Sequence, residues 1–386
     1  MRTLLLLAAP LVAGLLAWCF PPPLYDFVEY WAAGRLLVAG ENPYDAEAVA
    51  ELEKQAGRAD DAILMWNPPW VLPFAAPIGP PDPRTGRALW LAVQLAALLL
   101  AADGLHRLHG GSERTRPVSW LVALSFAPSI VALGIGQITP LLPLGAWLFL
   151  HFVKRGQDLL AGMATALLSI KPHLCYLFWI AVLLWTLRTG RWRVIAGGVL
   201  AGLALAGVAL LFNPHVVGQY FRKLTTDPPK EYDSPTLGSL LRLALGKERA
   251  GFRWQFLPML LGLGWLAWAW PRLRERDWSE MLPPLLLASF ITAPYGAWLF
   301  DAVLLLPALL AIPATRAAIR AWAVVTAITW AMLAARLAWR APIGYLHFIW
   351  LAPALGAAYL FFRPALRNTN QPQSAGPCEG QPAALS

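Results

Sequence analysis

The chain is short of cysteine and of charged residues. Only three of its 386 residues are cysteine: Cys19 and Cys175 lie in apolar runs and Cys378 in the C-terminal tail. They support neither a disulfide framework nor a zinc-binding spacing. Asp, Glu, Lys and Arg make up 14% of the chain, against about 25% in soluble proteins. This shortage argues against a soluble domain.

Nucleotide-binding and metalloprotease motifs are also missing. The sequence contains no Walker A loop, no glycine fingerprint of a dinucleotide-binding fold and no His-Glu-x-x-His helix. ATP, nucleotide sugars and dinucleotides therefore lack support. We expect the protein to need neither a nucleotide nor a metal as cofactor.

Apolar residues dominate instead. They make up 58% of the chain, mean hydropathy is +0.52, and apolar segments follow one another from Leu4 to Phe362 with no long polar block between them. A helix needs about 20 apolar residues to cross a bilayer. The sequence therefore predicts an all-α polytopic membrane protein of about ten to twelve transmembrane helices, with residues 1–367 as one domain.

The two ends of the chain carry separate predictions. The first apolar run, residues 4–20, has no small-residue cleavage site before Pro21, so we interpret it as a retained helix and not as a signal peptide. The polar tail, residues 368–386, is rich in Gln, Pro and Gly and is predicted to be disordered and cytoplasmic.

The net charge of +9 is spread over small clusters between apolar runs. Such clusters follow the positive-inside rule and do not indicate nucleic-acid binding. The alternation predicts a multi-pass protein of the cell membrane with two long acidic segments outside, residues 21–87 and 213–255. These segments favour an enzyme that works at the outer surface. The predicted cytoplasmic cations are Arg107, Arg114, Arg116, Lys154, Arg155, Arg188, Arg191, Arg193, Arg272, Arg274, Arg276, Arg316 and Arg320.

Asp26 lies a few residues after the first apolar run, among aromatic residues that include Tyr30. A carboxylate at this water boundary is suited to act as a general base, because partial desolvation raises its pKa. An ordinary interfacial acid is the alternative. Glu29 and Arg35 follow on a predicted short helix that ends at Gly40, where they either contact substrate or face solvent.

Lys171 and His173 interrupt the apolar stretch 159–187 on either side of Pro172. The proline predicts two short helices that meet at an outward-facing break. Lysine costs about 2.5–3.5 kcal/mol in hydrocarbon on insertion scales, so we interpret Lys171 as functional and suited to bind phosphate. Snorkelling of Lys171 to the lipid headgroups is the alternative.

Three more polar residues lie at predicted outer turns or span ends. Asn67 belongs to a proline-rich run with two tryptophans, residues 65–70, which either borders a sugar or lipid groove or anchors the chain at the interface. Gln137 lies in an outward-facing turn, where an ordinary loop role is equally open. Asp301 follows Tyr295 near the outer end of a span, and its charge is costly there unless it faces a cavity or a partner.

Six segments follow one another along the chain: Asp26, the turn from Gly40 to Tyr44, Asn67-Pro68-Pro69, Gly136-Gln137-Ile138-Thr139, Ile170-Lys171-Pro172-His173, and Ala293-Pro294-Tyr295 to Asp301. In this order they resemble glycosyltransferase family 87, a group of polytopic GT-C-type enzymes that includes polyprenyl-phosphate-mannose-dependent alpha-mannosyltransferases. The resemblance runs from about Asp26 to Pro307. The chain departs from the family at His173, where Lys-Pro is usually followed by Gln, and near Asp301, where many members carry a histidine.

The resemblance implies a GT-C-like helical bundle with a catalytic Asp in the first outer loop, matched here by Asp26. A hexose, in the first place mannose, or a pentose would pass with inversion from a polyprenyl-phosphate sugar donor to a glycolipid or glycan acceptor at the extracytoplasmic face. Lys171 would hold the phosphate. The predicted substrate-binding residues are Glu29, Tyr30, Arg35, Asn67, Gln137, Lys171, His173, Tyr295 and Asp301.

Two other classes of protein stay open. A transporter or flippase for an anionic lipid-linked substrate would use Lys171 and Asp301 as intramembrane charges and would tolerate the loss of Asp26. A structural subunit of an envelope-assembly complex would depend on no single polar residue. The long acidic outer segments favour the enzyme.

Overall fold

A computed structural model describes residues 2–19, 25–58, 62–226, 234–245, 253–312, 315–339, 341 and 343–362. Within these ranges the regular secondary structure is entirely helical, which confirms the predicted all-α fold. The predicted disordered tail, residues 368–386, lies outside the described residues.

The helices are numbered in chain order. In the first half they are α1 (Arg2–Cys19), α2 (Phe27–Val38), α3 (Ala46–Gln55), α4 (Leu72–Ala75), α5 (Pro83–Leu108), α6 (Arg116–Ser125), α7 (Ala127–Ile135), α8 (Leu141–Lys154) and α9 (Asp158–Leu168). In the second half they are α10 (Tyr176–Thr189), α11 (Trp192–Phe212), α12 (Val216–Thr226), α13 (Leu237–Ala244), α14 (Leu257–Leu273), α15 (Trp278–Ile291), α16 (Leu306–Leu310), α17 (Arg316–Ala338) and α18 (Leu351–Phe362). Short 3-10 segments join several of them, at Pro69–Val71, Ala76–Ile78, Pro172–Cys175, Leu299–Leu305 and Tyr345–Phe348.

Among the described residues, four helices are long and apolar enough to cross a membrane: Pro83–Leu108, Trp192–Phe212, Arg316–Ala338 and Tyr345–Phe362. The pair α6 and α7, bent by 66°, makes a fifth if it is counted as one span. These helices make the chain polytopic. The prediction of about ten to twelve spans counts the shorter apolar helices too, and it stays a prediction.

The last residues of the segment predicted to lie outside, residues 83–87, form the first turn of helix α5; that the segment 21–87 lies outside the membrane stays a prediction. Helix α5 begins at Pro83, and the Asp82 side chain accepts hydrogen bonds from the backbone N–H groups of Arg84 and Thr85 at 3.0 and 3.1 Å. Asp followed by Pro is a strong helix start, because Asp caps free N–H groups and Pro has none to lose. The first turn of α5 therefore belongs to the helix and includes Arg87.

Close helix pairs build the core on either side of α8, which packs against α5 and α9. Helices α9 and α11 approach most closely at two glycines. A Cβ on Gly162 would lie 1.9 Å from the Val194 carbonyl oxygen, and one on Gly197 would lie 2.1 Å from the Leu159 carbonyl oxygen. Only glycine permits this spacing, and it fixes the position of α9, whose end bears on the site below.

Candidate active site

One cavity of about 630 Å³ gathers residues from segments that are far apart in the chain. Its wall is formed by the start of α2, residues within 62–70, the turn between α7 and α8, the break at 170–173, one face of α12, the loop 295–300 and Tyr345. Eight of the ten predicted site residues line it: Asp26, Glu29, Tyr30, Asn67, Gln137, Lys171, His173 and Tyr295.

The carboxylate of Asp26 is oriented from the side by Gln137. Asp26 directly precedes α2, and its Oδ2 accepts a hydrogen bond of 2.9 Å from the Gln137 amide Nε2. The Tyr30 hydroxyl, one turn into α2, donates to Gln137 Oε1, also at 2.9 Å. Burial raises the pKa of Asp26, while the Gln137 hydrogen bond and the positive charge of Lys171 oppose that rise.

A second acid, Glu29, stands one helical turn after Asp26 and is 6% exposed. Burial raises the pKa of Glu29 well above its usual value, and the neighbouring Asp26 carboxylate raises it further. Two close carboxyl groups in a poorly solvated site do not ionise together readily. The cavity therefore holds two neighbouring acids, Asp26 and Glu29, whose pKa values are both raised by burial.

Lys171 forms a buried ion pair at the cavity wall. Its Nζ donates to Asp301 Oδ1 at 2.8 Å, and the side chains of Lys171 and Asp301 are 12% and 0% exposed. Asp301 Oδ2 accepts a hydrogen bond of 3.0 Å from the backbone N–H of Trp298. Asp301 therefore lies behind Lys171 and does not line the cavity, although it was predicted to bind substrate. The charge of Asp301 was expected to face a cavity or a partner, and Lys171 is that partner.

The helix break at Pro172 exists as predicted. Helix α9 ends at Leu168 and α10 begins at Tyr176. The carbonyl groups just after α9 have no helical partner, because Pro172 disrupts the ladder. Two side chains of the proline-rich run, residues 65–70, supply the missing donors. Trp70 Nε1 donates to the Ser169 carbonyl oxygen at 3.2 Å, and Asn67 Nδ2 donates to the Ile170 carbonyl oxygen at 3.3 Å.

His173 and Tyr295 form a stacked pair on the cavity wall, with ring centroids 4.6 Å apart and an interplanar angle of 16°. The His173 Nε2 atom is buried and has no hydrogen-bond partner among the described residues. A flat pair of rings of this kind offers a surface on which a sugar ring can lie.

Arg35 is the one predicted site residue that lies clearly apart from the cavity. It is exposed on α2, where its guanidinium approaches the carbonyl oxygens of Gly79 and Pro80 at 3.5 and 3.4 Å and the Trp31 ring at 5.5 Å. Its contacts are those of a residue that packs α2 against the following segment.

The sequence interpretation missed several wall residues. Tyr220 and Leu224 lie one turn apart on α12 and face the cavity, and Tyr345 closes it from the C-terminal part of the chain. Glu53 supports Ile63, whose backbone N–H donates to both Glu53 carboxylate oxygens, at 3.2 and 3.1 Å. The amphipathic pattern of α12 was a usable signal for its buried face. No pattern in the sequence around Tyr345 indicated that this residue lines the cavity.

A metal site built from side chains is not found. No three His, Cys, Asp or Glu residues come together in a suitable group within the described residues. That the reaction needs no metal stays a prediction.

The family comparison gives a single finding. The model of glycosyltransferase family 87 matches residues 66–300, a stretch that includes Gln137, Lys171 and His173 and ends one residue before Asp301. Asp26 lies outside it. No curated protein and no solved structure matches the chain.

Proposed function

Because the chain belongs to glycosyltransferase family 87, it is a membrane glycosyltransferase, and we propose that its sugar donor is a polyprenyl-phosphate sugar. The acceptor is a hydroxyl group of a glycolipid or a growing glycan. The observation that carries this proposal is that a candidate base, Asp26, and a candidate phosphate ligand, Lys171, line the same cavity.

The proposed reaction is a direct displacement at the anomeric carbon. The Asp26 carboxylate takes the proton from the acceptor hydroxyl as its oxygen bonds to the sugar C1. The bond between C1 and the phosphate oxygen breaks at the same time, and the polyprenyl phosphate leaves as an anion. Lys171 stabilises the negative charge on that phosphate. A single displacement inverts the configuration at C1, and the proton on Asp26 passes to water.

Three features support these roles. The pKa of Asp26 is raised by burial, which brings a carboxylate closer to the operating pH of a general base. The Asp301 carboxylate holds Lys171 at the wall. Burial and the Asp26 charge raise the pKa of Glu29, and this disfavours a second negative charge that would oppose a phosphate.

The extracytoplasmic position of the reaction is supported by the order of segments along the chain. Segments that line the cavity alternate with the cationic clusters that the positive-inside rule assigns to the cytoplasm. A lipid-linked donor suits this side, where nucleotide sugars are absent. Mannose is the first sugar to test because of the family resemblance. Because His173 stands where the family usually has Gln, a different hexose or a pentose is the next sugar to test.

The test is a transfer assay with purified protein in detergent or nanodiscs. Radiolabelled polyprenyl-phosphate mannose, glucose and pentose are each incubated with a membrane lipid extract, and the labelled product is isolated and its linkage determined. We expect one donor to label a glycolipid or glycan, with inverted configuration. Transfer from a nucleotide sugar alone would refute the donor class. Movement of lipid across proteoliposomes with no transfer would favour the flippase alternative.

A further inference from the structure

The Gln137 side chain has both ends of its amide occupied by protein groups. Its Nε2 donates to Asp26 Oδ2 and its Oε1 accepts from the Tyr30 hydroxyl, each at 2.9 Å. An amide oxygen only accepts hydrogen bonds and an amide nitrogen only donates them. The ionised Asp26 carboxylate only accepts, so the donor end of the amide faces Asp26, and the Tyr30 hydroxyl stabilises this orientation by donating to the other end.

The backbone that carries Gln137 is clamped by three side chains of α5. Arg87 Nη2 donates to the carbonyl oxygens of Leu133 and Gly134 at 2.6 and 2.9 Å, and Trp90 Nε1 donates to the Gly136 oxygen at 2.7 Å. Gln94 Nε2 donates to the Gln137 carbonyl oxygen itself. All three donors are at most 2% exposed.

This clamp leaves buried polar atoms unsatisfied: Arg87 Nε and Nη1 and Gln94 Oε1 have no hydrogen-bond partner among the described residues. Arg87 and Gln94 are fully buried, and burying such polar groups is costly unless each makes hydrogen bonds. Their donors are spaced along one face of α5 and all point at the same turn. Such a rigid support is what a side chain needs if it must hold a reacting group in a fixed direction.

We infer that Gln137 is a positioning residue for the base, and that it leaves Asp26 Oδ1 as the atom that takes the proton. Oδ2 is held by the amide, whereas the structure shows no hydrogen bond to Oδ1 from any described residue. Gln137 then acts through Asp26, which differs from its predicted role as a substrate ligand. The inference rests on the proposed function for the identity of Asp26 as base.

The chemical consequence is a specific pH dependence. A hydrogen bond donated to the charged form of a carboxyl group lowers its pKa, and the Gln137 bond acts in this direction on Asp26. A general base works only when deprotonated, so turnover falls at pH values below its pKa. Loss of the Gln137 donor raises that pKa, and the acid limb of the pH profile must move to higher pH.

The test uses three variants. Gln137→Met keeps the length of the side chain but has no hydrogen-bond donor, and Gln137→Glu places another acid beside Asp26. Tyr30→Phe removes only the hydroxyl that donates to Gln137 Oε1. Gln157→Met, at an exposed position, is the control. The pH dependence of kcat is measured for each full-length protein. The Asp26 carboxyl is also titrated by infrared difference spectroscopy, with Asp26→Asn identifying its band.

We expect the acid limb and the infrared pKa of Asp26 to rise together, in the order wild type, Tyr30→Phe, Gln137→Met, Gln137→Glu. Turnover near the wild-type pKa should fall about 3- to 30-fold and recover in part at higher pH, because each unit of pKa changes the active fraction about tenfold. The control should match wild type. If the Gln137 variants fail to fold, the pKa shift in Tyr30→Phe tests the positioning role.

Two results would overturn the inference: an Asp26 infrared pKa unchanged in every variant, or a raised KM with an unmoved acid limb, which would make Gln137 a substrate ligand. The infrared titration needs no turnover. A raised Asp26 pKa in a protein that transfers no polyprenyl-phosphate sugar, or whose Asp26→Asn variant keeps full activity, would support the positioning role and reject the proposed function.

Discussion

At the scale of single residues, the two charged groups proposed to act on substrate are held in different ways. Asp26 is held by a neutral amide that is itself fixed by Tyr30. Lys171 is held by a full charge, the buried Asp301 carboxylate. A neutral partner leaves the carboxylate able to gain and lose a proton, whereas the ionic partner fixes the position of the Lys171 ammonium group at the cavity wall. Each support suits the proposed role.

Asp26→Asn should slow the chemical step by about 10²- to 10⁴-fold, because it keeps the size of the side chain and removes its basicity. The apparent affinity for the donor should change little, since the base acts on the acceptor. Single-turnover kinetics at saturating substrates measure this. Asp45→Asn is the control: Asp45 is exposed and caps α3 away from the cavity. Near-normal turnover of Asp26→Asn would show that the base lies elsewhere.

Lys171→Met should weaken donor use strongly, but alone it leaves the fully buried Asp301 without its cation, which costs about 3–5 kcal/mol in comparable pairs. The double variant Lys171→Met with Asp301→Asn removes both charges. We expect the double variant to regain thermal stability while donor use stays impaired, as measured by thermal unfolding and donor titration. Recovery of donor affinity in the double variant would mean that Lys171 has only a structural role.

Asp26 and Lys171 could be selected from sequence because ionisable groups beside apolar runs are costly and rarely incidental. The directions in which the side chains point could not be predicted from the sequence. Asp301 points away from the cavity and Arg35 points to another segment, since both depend on how a helix is rotated against its neighbours. The order of residues alone does not contain that rotation.

At the scale of elements, the site is built on helix ends and on the connections between them. The turn between α7 and α8 is held so closely that glycine is required at Gly136, where φ is +81° and an added Cβ would lie 2.5 Å from the Phe27 Cβ. Phe27 follows Asp26 in the chain. The turn therefore sets the backbone next to the base as well as the amide that orients it.

Gly136→Ala should lower both stability and turnover. A positive φ disfavours alanine by roughly 1 kcal/mol or more, and the clash moves Phe27. Gly134→Ala is a control at the adjoining end of α7, because Gly134 is exposed and an added Cβ would meet nothing within 4 Å. Thermal unfolding and kcat are compared for both. Equal effects of the two substitutions would contradict this account of the turn.

Helix α3 supports the cavity wall through Glu53, whose pKa burial raises to about 7. Because the folded protein binds this proton more tightly than the unfolded chain, stability should increase as pH falls from about 7 to 4.5. Glu53→Gln should remove that part of the pH dependence. Thermal unfolding of both proteins at several pH values measures the difference. The same slope in both would show that Glu53 does not titrate in this range.

Elements differ in how well they could be predicted. The break at Pro172 and the short helix after Asp26 were predicted correctly, because a proline and the glycine that ends a helix, here Gly40 with φ +77°, act locally. That α12 folds back onto the cavity with Tyr220 could not be predicted, since it depends on contacts between residues distant in the chain.

At the scale of the whole molecule, the cavity and the cationic clusters occupy alternate connections from the first helix to the last. Helices shorter than a full span, such as α8 and α15, still fit this alternation. The charge pattern and the assembly of the site are independent observations, one from composition and one from packing. Their agreement is the main support for an active site on one side of the membrane.

Single cysteines test this orientation directly. In a protein whose three native cysteines are replaced, Glu47→Cys lies in the segment with the cavity, and Arg114→Cys and Arg274→Cys lie in cationic clusters; all three positions are exposed. Because positive clusters stay in the cytoplasm, an impermeant thiol reagent added to intact cells should label Glu47→Cys only. After permeabilisation all three should react, which controls for buried thiols. Labelling of either arginine position in intact cells, with Glu47→Cys protected, would reverse the orientation and place the cavity in the cytoplasm.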